Sequence, residues 1–340
     1  MSLHILRPGL LTTVQDLGRP GYQQAGIVVG GAMDATALRV ANLLVGNAET
    51  AAGLETSGPG LRLLFEADAL IALTGAHFSP TLNGQLVGLS RPVGVGAGTE
   101  LAFGTPVAGS RAYLAVAGGV AVPPVLGSRA TYLRAGFGGL RGRALLAGDG
   151  LPVGEPTAIG RRLGASLIPY PPPATQPAWT AARWTPGPGL CPTPLPNPIV
   201  RAVAGPEYEQ FSAASQRAFW QEPFTITTAA DRMGYRLRGP ALARDTNVEL
   251  LSSAVAFGTV QVPAGGQPIV LLADCQTTGG YPRIAQVISV DFAVLAQAAP
   301  GQFLRFERVS LAEAQTLYLA QERRLRALKR AIDLKLALTA

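Results

Sequence analysis

The chain is cut into short pieces by turn residues, and this limits what it can fold into more than any other feature. From residue 53 to about residue 167, apolar runs at 61–65, 69–74, 100–103 and 111–116 are separated by Gly, Pro or the pair Asn83-Gly84. Runs of this length, rich in branched residues and bounded by turn signals, read as strands. Asn-Gly between two such runs is a hairpin signal, because both residues tolerate positive φ. The whole stretch reads as β, with the spacing of a sandwich or barrel.

Other punctuation divides the remainder. Asp34 is a candidate N-cap for a helix whose Leu38, Ala41 and Val45 share one face and which ends at Gly46-Asn47. Residues 169–198 hold eleven prolines with Trp179, Trp184 and Cys191 and no period, the composition of a semi-rigid linker. Beyond it, helical pieces at 206–211 and 212–221 lead into strands at 224–228, 235–238, 248–251, 258–262, 268–273, 284–288 and 303–306. The chain closes with a helix opened by the capping box Ser310-x-x-Glu313. Leu311, Tyr318, Leu325 and Ile332 recur there every seven residues, compatible with packing on the protein's own body or with a self-association seam. The expected organisation is an N-terminal β-rich domain at 1–168, a linker at 169–198, a C-terminal β domain at 199–309 and a helix at 310–340.

At 340 residues the chain is long enough for about two domains. Its excess of positive charge, 28 Lys and Arg against 21 Asp and Glu, is largely local to the C-terminal helix. Basic residues are not interleaved with aromatics as single-strand binders require, so nucleic-acid binding is not expected. Neither a membrane span nor a signal peptide is recognisable, which makes the cytoplasm the expected compartment. There is no G-x-x-x-x-G-K-[ST] loop and no G-x-S-x-G elbow. Two histidines, His4 and His77, give metal clusters and Ser-His-Asp machinery little to draw on.

What remains is loop chemistry. Between the apolar runs 268–273 and 284–288 stand Asp274, Cys275, Gln276, Thr277, Thr278, Gly279, Gly280 and Tyr281. A Gly pair lets a ligand approach the backbone, and binding loops are mounted between stiff strands in this way. An extended hairpin whose polar groups only satisfy the turn reads equally well. Arg19, Arg232 and Tyr235 likewise lie beside glycines in turns, and an arginine there can hold a carboxylate or phosphate through two parallel bonds. Cys275 reads as small buried packing. The two halves also echo one another: Asp16-x-Gly18-Arg19-x-Gly21-Tyr22 is matched by Asp231-Arg232-x-Gly234-Tyr235, which suggests paired β domains.

Several runs together resemble a known family. They include Thr12-Thr13-Val14-Gln15-Asp16-x-Gly18-Arg19, Ala41-Asn42-Leu43-Leu44-Val45-Gly46-Asn47 and Tyr113-Leu114-Ala115-Val116-Ala117-Gly118-Gly119. Gly205-Pro206-Glu207-Tyr208, Asp231-Arg232-Met233-Gly234-Tyr235, Gly266-Gln267-Pro268-Ile269 and Gln276-Thr277-Thr278-Gly279-Gly280-Tyr281-Pro282 follow in the same order. This pattern is similar to the biotin-dependent carboxyltransferase family, which includes the allophanate hydrolase subunit 2-like C subunits of bacterial 5-oxoprolinases. The resemblance implies a mainly β fold: two cyclophilin-like β-barrel domains with a few short helices and a C-terminal helix.

For function the resemblance implies action with partner subunits A and B, ATP-dependent, opening 5-oxoproline (pyroglutamate) to L-glutamate. ATP would belong to the complex, its site not wholly in this chain. A carboxyltransferase component acting on urea or a related amide with biotin is one alternative. A non-catalytic regulatory or binding subunit is another. Laid on these motifs, Asp274 and Arg232 are candidate catalytic residues. Arg19, Tyr235, Gln276, Thr277, Thr278, Gly279, Gly280 and Tyr281 are candidate substrate-binding residues, and no metal is expected. Two positions depart from the family pattern: Cys275 stands where a small residue such as Ala is usual, and Ala230-Asp231 where many members have Ser-Asn.

Overall fold

A computed structural model describes residues 2–168, 179–246 and 250–338. The described residues include five α-helices: α1 (Ala35–Leu44), α2 (Ala158–Leu167), α3 (Ala213–Gln221), α4 (Phe292–Gln297) and α5 (Leu311–Leu338). The remaining regular structure is mainly β, as expected. No described helix is long and apolar enough to cross a membrane. The chain divides into two compact units, one gathering Met1–Gly18, Asp34–Pro194 and Glu322–Ala340, the other Arg19–Met33 and Leu195–Gln321. Both units are therefore discontinuous in sequence, unlike the serial boundaries expected from composition.

In the first unit twelve strands form two six-stranded sheets. One runs in the order Gly150–Pro152, Ser2–Pro8, Leu61–Phe65, Glu100–Ala102, Thr81–Leu82, Gln85–Leu86; the other Trp179–Ala181, Val93–Val95, Ala69–His77, Ala108–Val116, Gly53–Ser57, Leu11–Gln15. Alternation sets the faces. In Leu61–Phe65, Leu61, Leu63 and Phe65 are buried while Arg62 is exposed. Both sheets feed one core containing Leu3, Ile5, Leu63, Ile71, Val93 and Leu114. Thr81–Leu82 and Gln85–Leu86 pair across Asn83 and Gly84, both at positive φ, so the Asn-Gly hairpin forms as its chemistry dictates.

A second core in this unit joins α1, α2 and part of α5 through Val40, Leu44, Leu70, Leu163, Leu325, Leu328 and Ile332. Asp34 caps α1 by accepting the Ala37 N–H at 2.8 Å. The continuous β reading of residues 53–167 is corrected by α2, which Thr157 caps through the Gly160 N–H. Its apolar residues recur at helical spacing, but Gly160 and Gly164 made the segment look like a turn. Gly160 serves packing: a Cβ there would lie 3.0 Å from the Val45 carbonyl. Part of the expected linker, residues 169–178, lies outside the described residues. Its remainder is not free of structure, since Trp179–Ala181 pairs with Val93–Val95. Trp184, Leu190 and Cys191 pack against the helical core.

The second unit is built on a closed barrel, in the order Ile199–Ala204, Arg283–Val287, Thr259–Gln261, Ile269–Leu271, Gly234–Arg238, Phe224–Ile226, Phe303–Arg308. Closure comes from parallel pairing of Ile199–Ala204 with Phe303–Arg308. Phe219, Phe224 and Phe306 anchor the interior, with Phe219 and Phe306 stacked at 4.5 Å. The expected strand at 248–251 lies partly outside the described residues, and Leu250 and Leu251 are not in a strand. One detail reshapes the loop at 272–282. The strands flanking it, Ile269–Leu271 and Arg283–Val287, do not pair with each other, because Thr259–Gln261 lies between them and pairs with both. The loop is a crossover past a neighbouring strand, not a hairpin turn.

Candidate functional site

At one end of the Gly234–Arg238 and Ile269–Leu271 ladder, the backbone places Arg232 against Asp274. The Leu272 N–H donates to the Met233 carbonyl and the Asp274 N–H to the Arg232 carbonyl, each at 2.9 Å, so strand pairing continues into the loop. Asp231 shapes the turn before it: its Oδ1 accepts the N–H groups of Met233 at 2.7 Å and Gly234 at 3.1 Å. An Asn could supply the same acceptor, so the Asp231 departure leaves the turn geometry intact.

The side chains then meet. Arg232 Nε donates to Asp274 Oδ2 at 2.8 Å and Nη2 to Oδ1 at 3.1 Å, a forked pair. Arg232 Nη2 also donates to the Gly31 carbonyl at 2.6 Å. Gly31 belongs to the segment 19–33, which is held by the Gly30 N–H on the Ala273 carbonyl at 3.1 Å. Within it the Arg19 N–H donates to the Val29 carbonyl at 2.8 Å. A Cβ built on Gly30 would lie 3.3 Å from Arg19 Nη1 and 3.6 Å from Asp274 Oδ1. Arg19, Arg232 and Asp274 thus gather around a glycine corner, at 1%, 9% and 4% exposure.

The other predicted residues separate into two groups. Gln276, Thr277, Thr278, Gly279, Gly280 and Tyr281 form a rim that is partly or fully solvent-exposed, with Tyr281 at 52%. Thr278–Gly279 pairs with Ser253–Ala254, and the Val255 N–H donates to the Thr277 carbonyl at 3.0 Å. Tyr235 is placed elsewhere. It is 2% exposed in the barrel core, its hydroxyl within hydrogen-bond distance of the Leu295 and Ala298 carbonyls, at 3.1 and 3.0 Å. This is the position of a core tyrosine, and its sequence position beside Gly234 gave no sign of which way the ring turns.

Cys275 is buried, as its apolar context suggested. Burial, with the nearby Asp274 charge adding to it, pushes its thiol up to about 11. Asp16, the counterpart of Asp231 in the echoed motif, accepts from Gly18 N–H, Ser128 Oγ and Arg129 N–H and holds loops of the first unit together.

Sequence reasoning missed two features. Gly30 and Gly31, both at positive φ, bring the 19–33 backbone up to the arginines; their pairing in the sequence was the available signal. A cleft of about 330 Å³ is lined by Pro206, Ala254, Val255, Ala256, Thr259, Arg283, Ala285 and Gln286. It adjoins the rim, since Ala254 is the strand partner of Thr278. At its edge Glu207 and Arg283 form a forked ion pair at 2.8 and 2.6 Å, and that arginine holds the Glu207 carboxyl below the usual range.

A barrel with a charged corner and a polar rim defines a small-molecule site, and comparison with known proteins gives it a family. Residues 25–308 match the carboxyltransferase domain, subdomain A and B, and the chain belongs to that family. It is 44% identical to the C subunit of 5-oxoprolinase from Escherichia coli over 94% of this chain and 96% of the relative. To the C subunit of 5-oxoprolinase from Haemophilus influenzae it is 40% identical over 95% and 96%. The crystal structure of the K. lactis urea amidolyase is similar with a TM-score of 0.85 at 28% identity, covering 96% of this chain and a fifth (20%) of that one.

Proposed function

We propose that this chain works as the C subunit of a 5-oxoprolinase, within a complex that opens 5-oxoproline to glutamate. The observation that carries this reading is end-to-end similarity at 40–44% identity to proteins of that name. The site is compatible with a small polar amide. Arg19 and Arg232 bring positive charge, Asp274 offers carboxylate oxygens, and the rim at 276–281 supplies donors and acceptors at the surface. A subunit of such an enzyme works beside others, and subunits A and B are the partners in this reading.

ATP, which the family resemblance implies, is assigned to the complex. The corner around Arg232 does not suit a nucleotide, because the Asp274 carboxylate occupies one arginine fork and would repel phosphate oxygens. No step in this chain is routed through ATP. What this chain's residues do is hold the lactam, keep its amide against charged groups in a poorly hydrated corner, and orient it for attack by water.

The test is glutamate release by the three-subunit complex carrying Thr278→Ala or Arg232→Lys in this chain. Lysine keeps the charge but cannot make the fork, so activity should drop while the complex still assembles. Unchanged kinetics in both variants would remove the site assignment. The likeness to urea amidolyase supports a second reading, a carboxyltransferase component acting on a urea-like amide with biotin. That reading requires loss of activity on adding avidin.

A further inference from the structure

The glycine corner has a shape that bears on which ligand it takes. A Cβ on Gly30 would find Arg19 Nη1 at 3.3 Å and Asp274 Oδ1 at 3.6 Å, and, chain neighbours aside, no other described heavy atom within 4 Å. A guanidinium donor and a carboxylate acceptor therefore flank one small gap that a side chain at position 30 would fill. Gly30 itself is partly exposed, while Arg19 and Asp274 are buried, so the gap is reached across the glycine. Asp274 Oδ1 already accepts from Arg232 Nη2, but a carboxylate oxygen has a second lone pair to offer.

A donor and an acceptor side by side select a particular amide geometry. In an open-chain trans amide the N–H and C=O point in opposite directions. In a small ring the amide is forced cis, and both groups lie on one edge. We propose that the gap over Gly30 seats this edge of a cyclic amide, the Asp274 carboxylate accepting the ring N–H and the Arg19 guanidinium donating to the carbonyl oxygen. Arg232 is then a positioning residue, its fork fixing the Asp274 carboxylate. Gly30 is the specificity-determining residue, because any side chain there occupies the seat. This rests on the 5-oxoprolinase reading and names the contacts that reading needs.

Two arms test it in the assembled complex. In the first, Gly30→Ala is compared with Gly26→Ala. Both glycines have positive φ, +64° and +77°, so both variants carry similar backbone strain, but a Cβ on Gly26 meets nothing within 4 Å. Gly30→Ala should raise the KM for 5-oxoproline about tenfold or more, the loss expected when a charge-assisted hydrogen bond goes, while Gly26→Ala leaves KM unchanged. Equal effects of the two variants overturn the proposal.

The second arm measures calorimetric binding to the unmutated complex of 2-pyrrolidinone, its N-methyl derivative and γ-butyrolactone. The first should bind about tenfold or more tightly than the other two, which lack the N–H. Equal affinity for all three overturns the proposal. If the unmutated complex turns over no 5-oxoproline, the functional reading has failed, and the calorimetric arm still decides whether the gap recognises a cyclic amide edge.

Discussion

Arg232 and Asp274 form a buried, two-pronged ion pair, with bonds of 2.8 and 3.1 Å and a third arginine bond to the Gly31 carbonyl. The desolvation of two such charges offsets much of their attraction, but leaving one alone is costly, about 3–5 kcal/mol. Asp274→Ala should therefore lower the unfolding free energy by roughly that amount in denaturant titrations. Replacing both, Arg232→Met with Asp274→Leu, should restore most of the stability and none of the activity. Equal stability loss in the single and double variants would contradict this.

Tyr235 supplies a contrasting case. Its hydroxyl faces two carbonyls inside the barrel. Tyr235→Phe leaves buried carbonyls short of a donor and should cost about 1–3 kcal/mol of stability. The KM for 5-oxoproline should not change. A raised KM with unaltered stability would return this tyrosine to the site.

The two cysteines should be chemically silent in the folded protein. Burial pushes the Cys275 and Cys191 thiols each up to about 11, leaving little thiolate at neutral pH. A thiol reagent at pH 7.5 should label neither within minutes and both after denaturation. Rapid labelling of Cys275 in the folded state would show that the corner opens.

On α1, Arg39 bridges Glu49 and Glu322, at 2.7 and 2.6 Å. The hydrogen bond from Arg39 holds the Glu322 carboxyl below the usual range. A depressed acid stabilises the fold above its unfolded pKa, about 4.3, and loses that contribution as pH falls through the folded value. The Tm difference between the unmutated chain and Glu322→Gln should thus be constant from pH 5 to 8 and vanish in more acidic solution. The pair is partly solvent-screened, so the effect should be no more than about 1 kcal/mol. A difference that grows on acidification would contradict the assignment.

The strand pattern, the Asn83-Gly84 hairpin, the Asp34 cap and the Ser310 capping box could be read in advance because each is local chemistry. Ser310 and Glu313 do bond reciprocally. The helix at Ala158–Leu167 was hidden because its glycines serve close packing instead of a turn. The strand at Trp179–Ala181 was hidden because its partner lies more than 80 residues away. At the site, Arg232 and Asp274 stood out through their turn and loop contexts. Gly30 could not, since its meaning depends on two side chains 11 residues before it and more than 240 after it. Tyr235 shows the converse limit, because alternation along a strand does not reveal which face is the core until the barrel closes.

The central claim is that this chain is needed for a 5-oxoprolinase, and omission tests it most directly. Glutamate formation from 5-oxoproline and ATP would be followed with subunits A and B alone and with this chain added. The account predicts turnover that appears only with this chain present and that avidin leaves unchanged. Equal turnover without it, or none with all three, would contradict the account.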